Sequence, residues 1–301
     1  MSGTLHAHRG TLWVGWHEKT AHVAPFDWNG KPLAPGFSFR DARIDRSTVG
    51  GIALDDDRNL WVADTACSRV RRFSVFGREL GGIGLDVRAP LETGPDTEAE
   101  ADAVGRVRRP TAVHTRGDSD GLELLIGSGG TRRHALQLFT GEGALVSTLR
   151  PLGDAHGRFR DLVAVDRFER LIAVVEREAN RVQVFRDDDF HFAFRPADGP
   201  ERPVGIALFE DGHTLVCGTT GVHRYDPAGR RRATLIHALS DLRADATATE
   251  RESAIDHPLA LALDPGDSLR TTRLAILDRD ATRIQIYDAS GRHYGSFSPV
   301  P

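Results

Sequence analysis

Residues 50–80 read GGIALDDDRNLWVADTACSRVRRFSVFGREL. GIALD (51–55) and LWVAD (60–64) are short apolar runs of β-favouring residues separated by a polar turn. RVRRF (69–73) follows a short loop, and the SVFG turn leads to a fourth run near Glu79–Ile83. Four short runs joined by tight turns make an antiparallel meander, the unit of a propeller blade. One meander cannot bury its own apolar faces, so copies of it must stack.

The copies are found on both sides of this stretch. LVAVD (162–166), IAVVE (172–176) and RVQVF (181–185) repeat the pattern, as do ALALD (260–264), LAILD (274–278) and RIQIY (283–287). GIALF (205–209), LVCGT (215–219) and VHRY (222–225) form another copy. More divergent are AVHTR (112–116), LLIGS (124–128) and ALQLF (135–139), and, first in the chain, GTLHA (3–7), LWVGW (12–16) and HVAPF (22–26). Each third run closes on an aromatic: Phe26, Phe73, Phe139, Phe185, Tyr225 and Tyr287. Glycine follows four residues later in every copy except after Phe185, where Asp189 stands.

This period predicts an all-β fold, a six-bladed β-propeller with four antiparallel strands per blade, as a single domain over 1–301. The first blade begins with its own first strand, and the last ends with its own fourth, HYGSF (293–297). Ring closure is therefore expected to rest on packing between the terminal blades. The pattern G-I-A-L-D … L-W-V-A-D-x-x-x-x-R-V-x-x-F resembles the NHL repeat. The resemblance implies a six-bladed propeller. NHL proteins include interaction platforms and RNA-binding domains, and related propellers include lyases and lactonases, so function has to be argued from a site.

Composition narrows the classes. The formal net charge is −4, so the chain as a whole is no polyanion binder. RNA binding needs a basic face with stacking aromatics, and aromatic content is only 7%. Nucleic acid is thus an unlikely partner. The basic residues are arginines apart from Lys19 and Lys31. Cys67 and Cys217 show neither metal-ligand spacing nor a disulfide framework. The opening MSGTLHAHRG lacks an apolar signal region and no later run is long enough to span a bilayer, so a soluble, cytoplasmic protein without membrane contact is expected. Oligomeric state is left open.

Two inserts, 85–108 and 236–257, join the outer strand of one blade to the inner strand of the next, on the face called the top. Loops of this length are frequently functional. Asp64, Glu176 and Asp278 end second strands on the same face, each with an arginine five residues on: Arg69, Arg181 and Arg283. These pairs read as structural turn acids and arginines, too few and too neutralised to hold calcium. Arg109, Arg160, Arg202 and His257 lie where the chain turns into the inner strands and could receive a partner's acidic groups. His114 replaces alanine in a column shared with Ala53, Ala164, Ala207 and Ala262, and Trp16 replaces the acid in blade one; both join the top-face binding candidates, His114 as a ligand-binding group or proton carrier and Trp16 as a packing residue or part of a contact surface. No Ser-His-Asp set, phosphate-binding glycine loop or HExxH occurs, so no catalytic set, metal or cofactor is assigned. The expectation is a non-catalytic scaffold that binds another protein or peptide on its top face. The alternatives are a hydrolase or lyase with a metal or histidine site at the channel mouth, and an RNA-binding propeller.

Overall fold

The computed structural model describes residues 2–17, 20–41, 46–84, 104–118, 121–132, 134–150, 158–196, 202–278 and 282–299. It contains six four-stranded antiparallel meanders and one two-stranded sheet, Thr131–Arg132 with Phe159–Arg160. Blade two comprises Val49–Leu54, Asn59–Asp64, Arg69–Ser74 and Glu79–Ile83, close to the boundaries expected from its sequence. The first strands of the six blades are Ser2–His8, Val49–Leu54, Pro110–Asp118, Leu162–Phe168, Gly205–Leu208 and Ala260–Asp264. Each contacts the first strand of the next blade, and Ser2–His8 contacts Ala260–Asp264, so the strands enclose a central channel.

The ring closes without strand exchange, because each terminal blade keeps its four strands to itself. Leu5, Leu12, Val14 and Phe26 of blade one pack on Ala262, Leu277, Ile284 and Ile286 of blade six. The rings of Phe26 and Phe297 lie 5.4 Å apart across the same gap. Every other gap between blades holds its own apolar cluster. All six aromatics of the third strands are buried in these clusters or beside them, which is why the column recurs.

The glycine column has a local cause. Gly77 closes a bulged turn at φ +82, where its N–H donates to the Ser74 carbonyl. That backbone region strongly disfavours a side chain. Blade four turns differently. Arg186 pairs directly with Asp189, leaving a two-residue connection of Asp187 and Asp188, at φ +52 and +68. Two consecutive positive φ values suit a type I′ hairpin, and aspartate tolerates them. Asp189 therefore begins the outer strand, and no glycine is required at its position.

The second-strand acids form buried latches. Glu176 is fully buried and binds Arg181 Nε at 2.7 Å, Gln183 Nε2 at 2.6 Å and the backbone N–H of Arg160 at 2.8 Å. Asp278 accepts from Arg283, from Gln285 and from the backbone N–H groups of Asp256 and His257. Asp64 accepts from Ser47 Oγ and Thr48 N–H. The expected Asp64–Arg69 pair is not made: Arg69 reaches Asp41 at 2.8 Å instead, while Arg71 lies 3.5 Å from Asp64. Arg71 sits two residues along the third strand, where blades four and six carry Gln183 and Gln285, and it fills the same place. In each case the carboxylate captures the chain as it arrives from the preceding blade. The insert 236–257 is held in this way. It contains a short turn at Leu239–Asp241 and a helix at Ala248–Glu252, opened by a Thr247–Glu250 capping box. Of the insert 85–108, residues 85–103 lie outside the described residues; Gly105 and Arg106 are tied to the Gln137 side chain. Among the described residues no helix is long and apolar enough to cross a membrane.

Replacing Glu176 by alanine removes the buried carboxylate that Arg181, Gln183 and the Arg160 N–H share. Glu176→Ala should lower unfolding free energy by about 3–5 kcal/mol in urea titrations, whereas a decorative contact would cost under about 1 kcal/mol. Phe185 is wholly buried, and Phe185→Ala should cost about 3–5 kcal/mol in the same assay.

Candidate active site in the central channel

Pairing within each blade fixes the height of every channel residue. The aromatic of the third strand pairs with Leu12, Leu60, Leu124, Ile172, Thr214 or Leu274 on the second strand. The following residue on that second strand pairs with the first strand at His6, Ala53, His114, Asp166, Ala207 and Ala262 in the six blades. Three small residues and three polar ones thus form one layer around the channel. Asp166, and not Ala164, occupies this layer in blade four, because Leu162–Phe168 continues past the motif to pair Phe168 with Leu171 across a two-residue turn, which sets Asp166 opposite Ala173. His6 occupies it in blade one.

The channel widens into a cavity of about 790 Å³ that all three polar residues line. That volume suits a small organic ligand. His114 Nε2 lies 3.4 Å from Asp166 Oδ1, a long polar contact. Asp166 is itself anchored: its Oδ2 accepts from Leu208 N–H across the blade boundary at 2.7 Å, and its Oδ1 accepts from Arg167 N–H at 2.9 Å. With Nε2–H turned to the carboxylate, His114 Nδ1 becomes a lone-pair acceptor, and Nδ1 is shielded without a protein partner. His6 Nε2 is likewise shielded and unpartnered. Burial, with lesser repulsion from His114 and His8, lowers the His6 pKa to about 3. The imidazole is therefore neutral at physiological pH. Below the layer, Glu123 joins Arg116 at 2.6 Å and Arg167 at 3.4 Å.

The residues expected on the top face are separated by the structure. Arg109, Arg160, Arg202 and His257 are exposed there. His257 Nδ1 contacts Asp256 at 3.2 Å, and the Arg109 backbone adopts φ +43. Trp16 lies in the core between blades one and six at 8% exposure, stacked on His22 at 5.3 Å, which removes it from any contact face. His114 stands inside the channel and not at its rim. The sequence reading missed His6 and Asp166. Counting back from the third-strand aromatic through the hairpins would have found both; aligning on the visible alanine motif did not. Among the described residues no three His, Cys, Asp or Glu side chains gather in metal-ligating geometry.

No protein-family profile matches the chain, and no curated protein matches it by sequence. Its likeness to solved structures is one of fold. It resembles the virginiamycin B lyase of Staphylococcus aureus at 12% identity over 99% of this chain and 84% of that one, with a TM-score of 0.59. The WD40 β-propeller domain of Doa1 is similar at 11% identity, over 99% of this chain and 82% of that one, TM-score 0.59. A chain of a nidogen–laminin complex is similar at 13% identity, over 96% and 93%, TM-score 0.62.

The lowered pKa of His6 has a thermodynamic consequence. In the unfolded chain the imidazole takes a proton near its usual 6.5, whereas in the fold it refuses one until about 3. Stability from this group is present above 6.5 and falls as pH drops between those values. His6→Leu should flatten unfolding free energy against pH in that window by up to about 1.4 kcal/mol per pH unit. An unchanged slope in urea titrations from about pH 4 to 6 would show that His6 titrates normally.

Proposed function

We propose that the protein acts through its central channel, binding a small organic molecule there and transferring a proton on it as a lyase or hydrolase. The observation that carries this reading is the His114–Asp166 pair in the His6 layer, opening on a cavity of ligand size. A carboxylate behind an imidazole fixes its tautomer and stabilises the cation formed when the other nitrogen takes a proton. His114 is then the base, and Asp166 is the positioning residue. In an elimination, a substrate C–H proton passes to the His114 imidazole, its electron pair forms the new double bond as the leaving group's bond breaks, and the proton returns to the departing group. In a hydrolysis, a water gives its proton to the imidazole as its oxygen adds to a carbonyl, and that proton passes to the leaving oxygen as the acyl–oxygen bond breaks. A lyase among proteins of this fold is a precedent for catalysis on such a scaffold.

A second reading rests on a different observation. Arg109 and Arg202 present exposed guanidinium groups on the face that also carries the insert 236–257. An acidic peptide or protein surface would complement them. The NHL-like blade motif supports this reading, since NHL proteins include interaction platforms. The two readings are compatible, because one uses the rim and the other the interior.

Purified protein should be assayed against a panel of esters, lactones and carbonyl compounds bearing an acidic C–H beside a leaving group. Where wild type turns a compound over, His114→Ala should lose about 100-fold or more in kcat and Asp166→Asn about tenfold or more. Full activity in His114→Ala would remove the base from the mechanism.

A further inference from the structure

The lower channel holds more guanidinium than its carboxylate can satisfy. Arg116 and Arg167 approach the same oxygen, Glu123 Oε2, at 2.6 Å and 3.4 Å. Arg116 takes it at the length of a charge-assisted hydrogen bond, which leaves Arg167 a long contact. Arg167 Nε donates to the Glu169 carbonyl, again at a long 3.3 Å. Its Nη2 makes no hydrogen bond among the described residues and is not sealed away. Yet the Arg167 side chain is only 7% exposed, and it lines the cavity. Burial, with lesser repulsion from Arg116, lowers its pKa, although a guanidinium keeps its charge at physiological pH. A buried charge with an incomplete partner is costly, and an anion in the cavity would complete it.

The other carboxylates nearby are placed elsewhere. Asp166 accepts from the Leu208 and Arg167 N–H groups and faces His114. Asp211 accepts from His213 N–H at 3.0 Å, and Glu210 is exposed in the turn at the bottom of blade five. Asp188 attracts Arg167 from beyond ion-pair distance. The position of Arg167 relates it to the base. Arg116 follows His114 by two residues on Pro110–Asp118, so both side chains share one face of that strand, about 7 Å apart along it. Arg167 meets this face from blade four. Above the base the wall is apolar, with Leu5, Ile52, Val113, Val165, Ile206 and Leu261.

We propose that Arg167 is a carboxylate-binding residue of the channel, and that the ligand is an organic monoanion held at its open Nη2 while an apolar body extends into the upper channel. The proposal rests on the channel reading above and deepens it by naming the substrate class. An acid anchored at Arg167 presents the carbons beside its carboxylate at the height of His114. One incompletely matched guanidinium suits a single negative charge, whereas a dianionic phosphate would bring a second charge towards Glu123 and Asp166.

The test uses three probes with one phenyl body: phenylacetate, phenylacetamide and phenethylamine, which carry a carboxylate, a neutral amide and an ammonium group. Ligand-observed NMR titrations at fixed ionic strength are run on wild type, Arg167→Gln and Arg167→Lys. Glu123 still has Arg116 as its partner when Arg167 is replaced, and circular dichroism and thermal unfolding check that both variants fold.

Wild type should bind phenylacetate about tenfold tighter than phenylacetamide. Arg167→Gln should bring the two within about twofold by weakening the carboxylate alone, and Arg167→Lys should keep part of the preference. Equal affinity for acid and amide in wild type would overturn the proposal without recourse to a variant. A preference that survives Arg167→Gln would put the carboxylate on the rim arginines and overturn the role of Arg167. Tighter binding of phenethylamine would show that Glu210 and Asp211 set the charge preference, and would overturn the anionic class. Displacement of phenylacetate by equimolar inorganic phosphate would replace the organic carboxylate by a phosphate group. The channel chemistry is judged separately, by whether His114→Ala abolishes turnover in the substrate panel.

Discussion

The fold depends on a buried carboxylate that catches the incoming chain at the top of a blade. In blade four Glu176 holds the Arg160 N–H, Arg181 and Gln183 together. A β-meander has no intrinsic reason to sit at a given angle to the next one; apolar faces slide, because hydrophobic burial is non-directional. A carboxylate binding the backbone of the crossing segment removes that freedom, because its hydrogen bonds have direction and its charge cannot be left unpaired. Where the acid is missing, another group takes over. In blade three Gln137 binds Gly105 and Arg106, and in blade five the Thr219 hydroxyl accepts from the Arg202 N–H at 3.4 Å. Blade one replaces acid and partner by the stacked rings of Trp16 and His22.

The latches also position the site. They fix where each inner strand begins, and the pairing with the second strand then sets which residue reaches the middle of the channel. Four blades use the register that the alanine motif suggests at this height. Blade four reaches Asp166 because its first strand runs on into a two-residue turn, and blade one reaches His6. The polar layer is thus a product of small offsets in a rigid ring. Such a ring can hold His114 and Asp166 at a fixed separation without help from a ligand, which is what preorganised proton transfer needs.

The channel has a division of labour along its axis. Its lower wall spends its charges on the Arg116–Glu123–Arg167 cluster, which ties blades three and four together. Its middle keeps two imidazole nitrogens unsatisfied. Its upper wall is apolar and of small residues. The exposed arginines stand outside this gradient, on the rim, where solvent and salt weaken them. Interior and rim thus differ in chemistry, an enclosed and largely apolar cavity against exposed guanidinium groups.

The amino-acid sequence by itself determined the blades. Period-two apolar runs, the aromatic column from Phe26 to Tyr287 and the turn glycines each act within one hairpin or between sequential neighbours, so their spacing is visible along the chain. The Glu176–Arg181 and Asp278–Arg283 pairs were legible for the same reason: they are cross-strand partners in one tight hairpin. Arg69 escaped the pattern because Asp41, in the segment before blade two, offers a competing carboxylate at 2.8 Å. His114 was noticed as a large polar residue in a small-residue column. Its companions were not, since His6 and Asp166 reach the same height only through the pairing of separate strands, and they meet across blades more than fifty residues apart in the chain. Closure of the ring decided the site, because only then do three inner strands face one another over a common space.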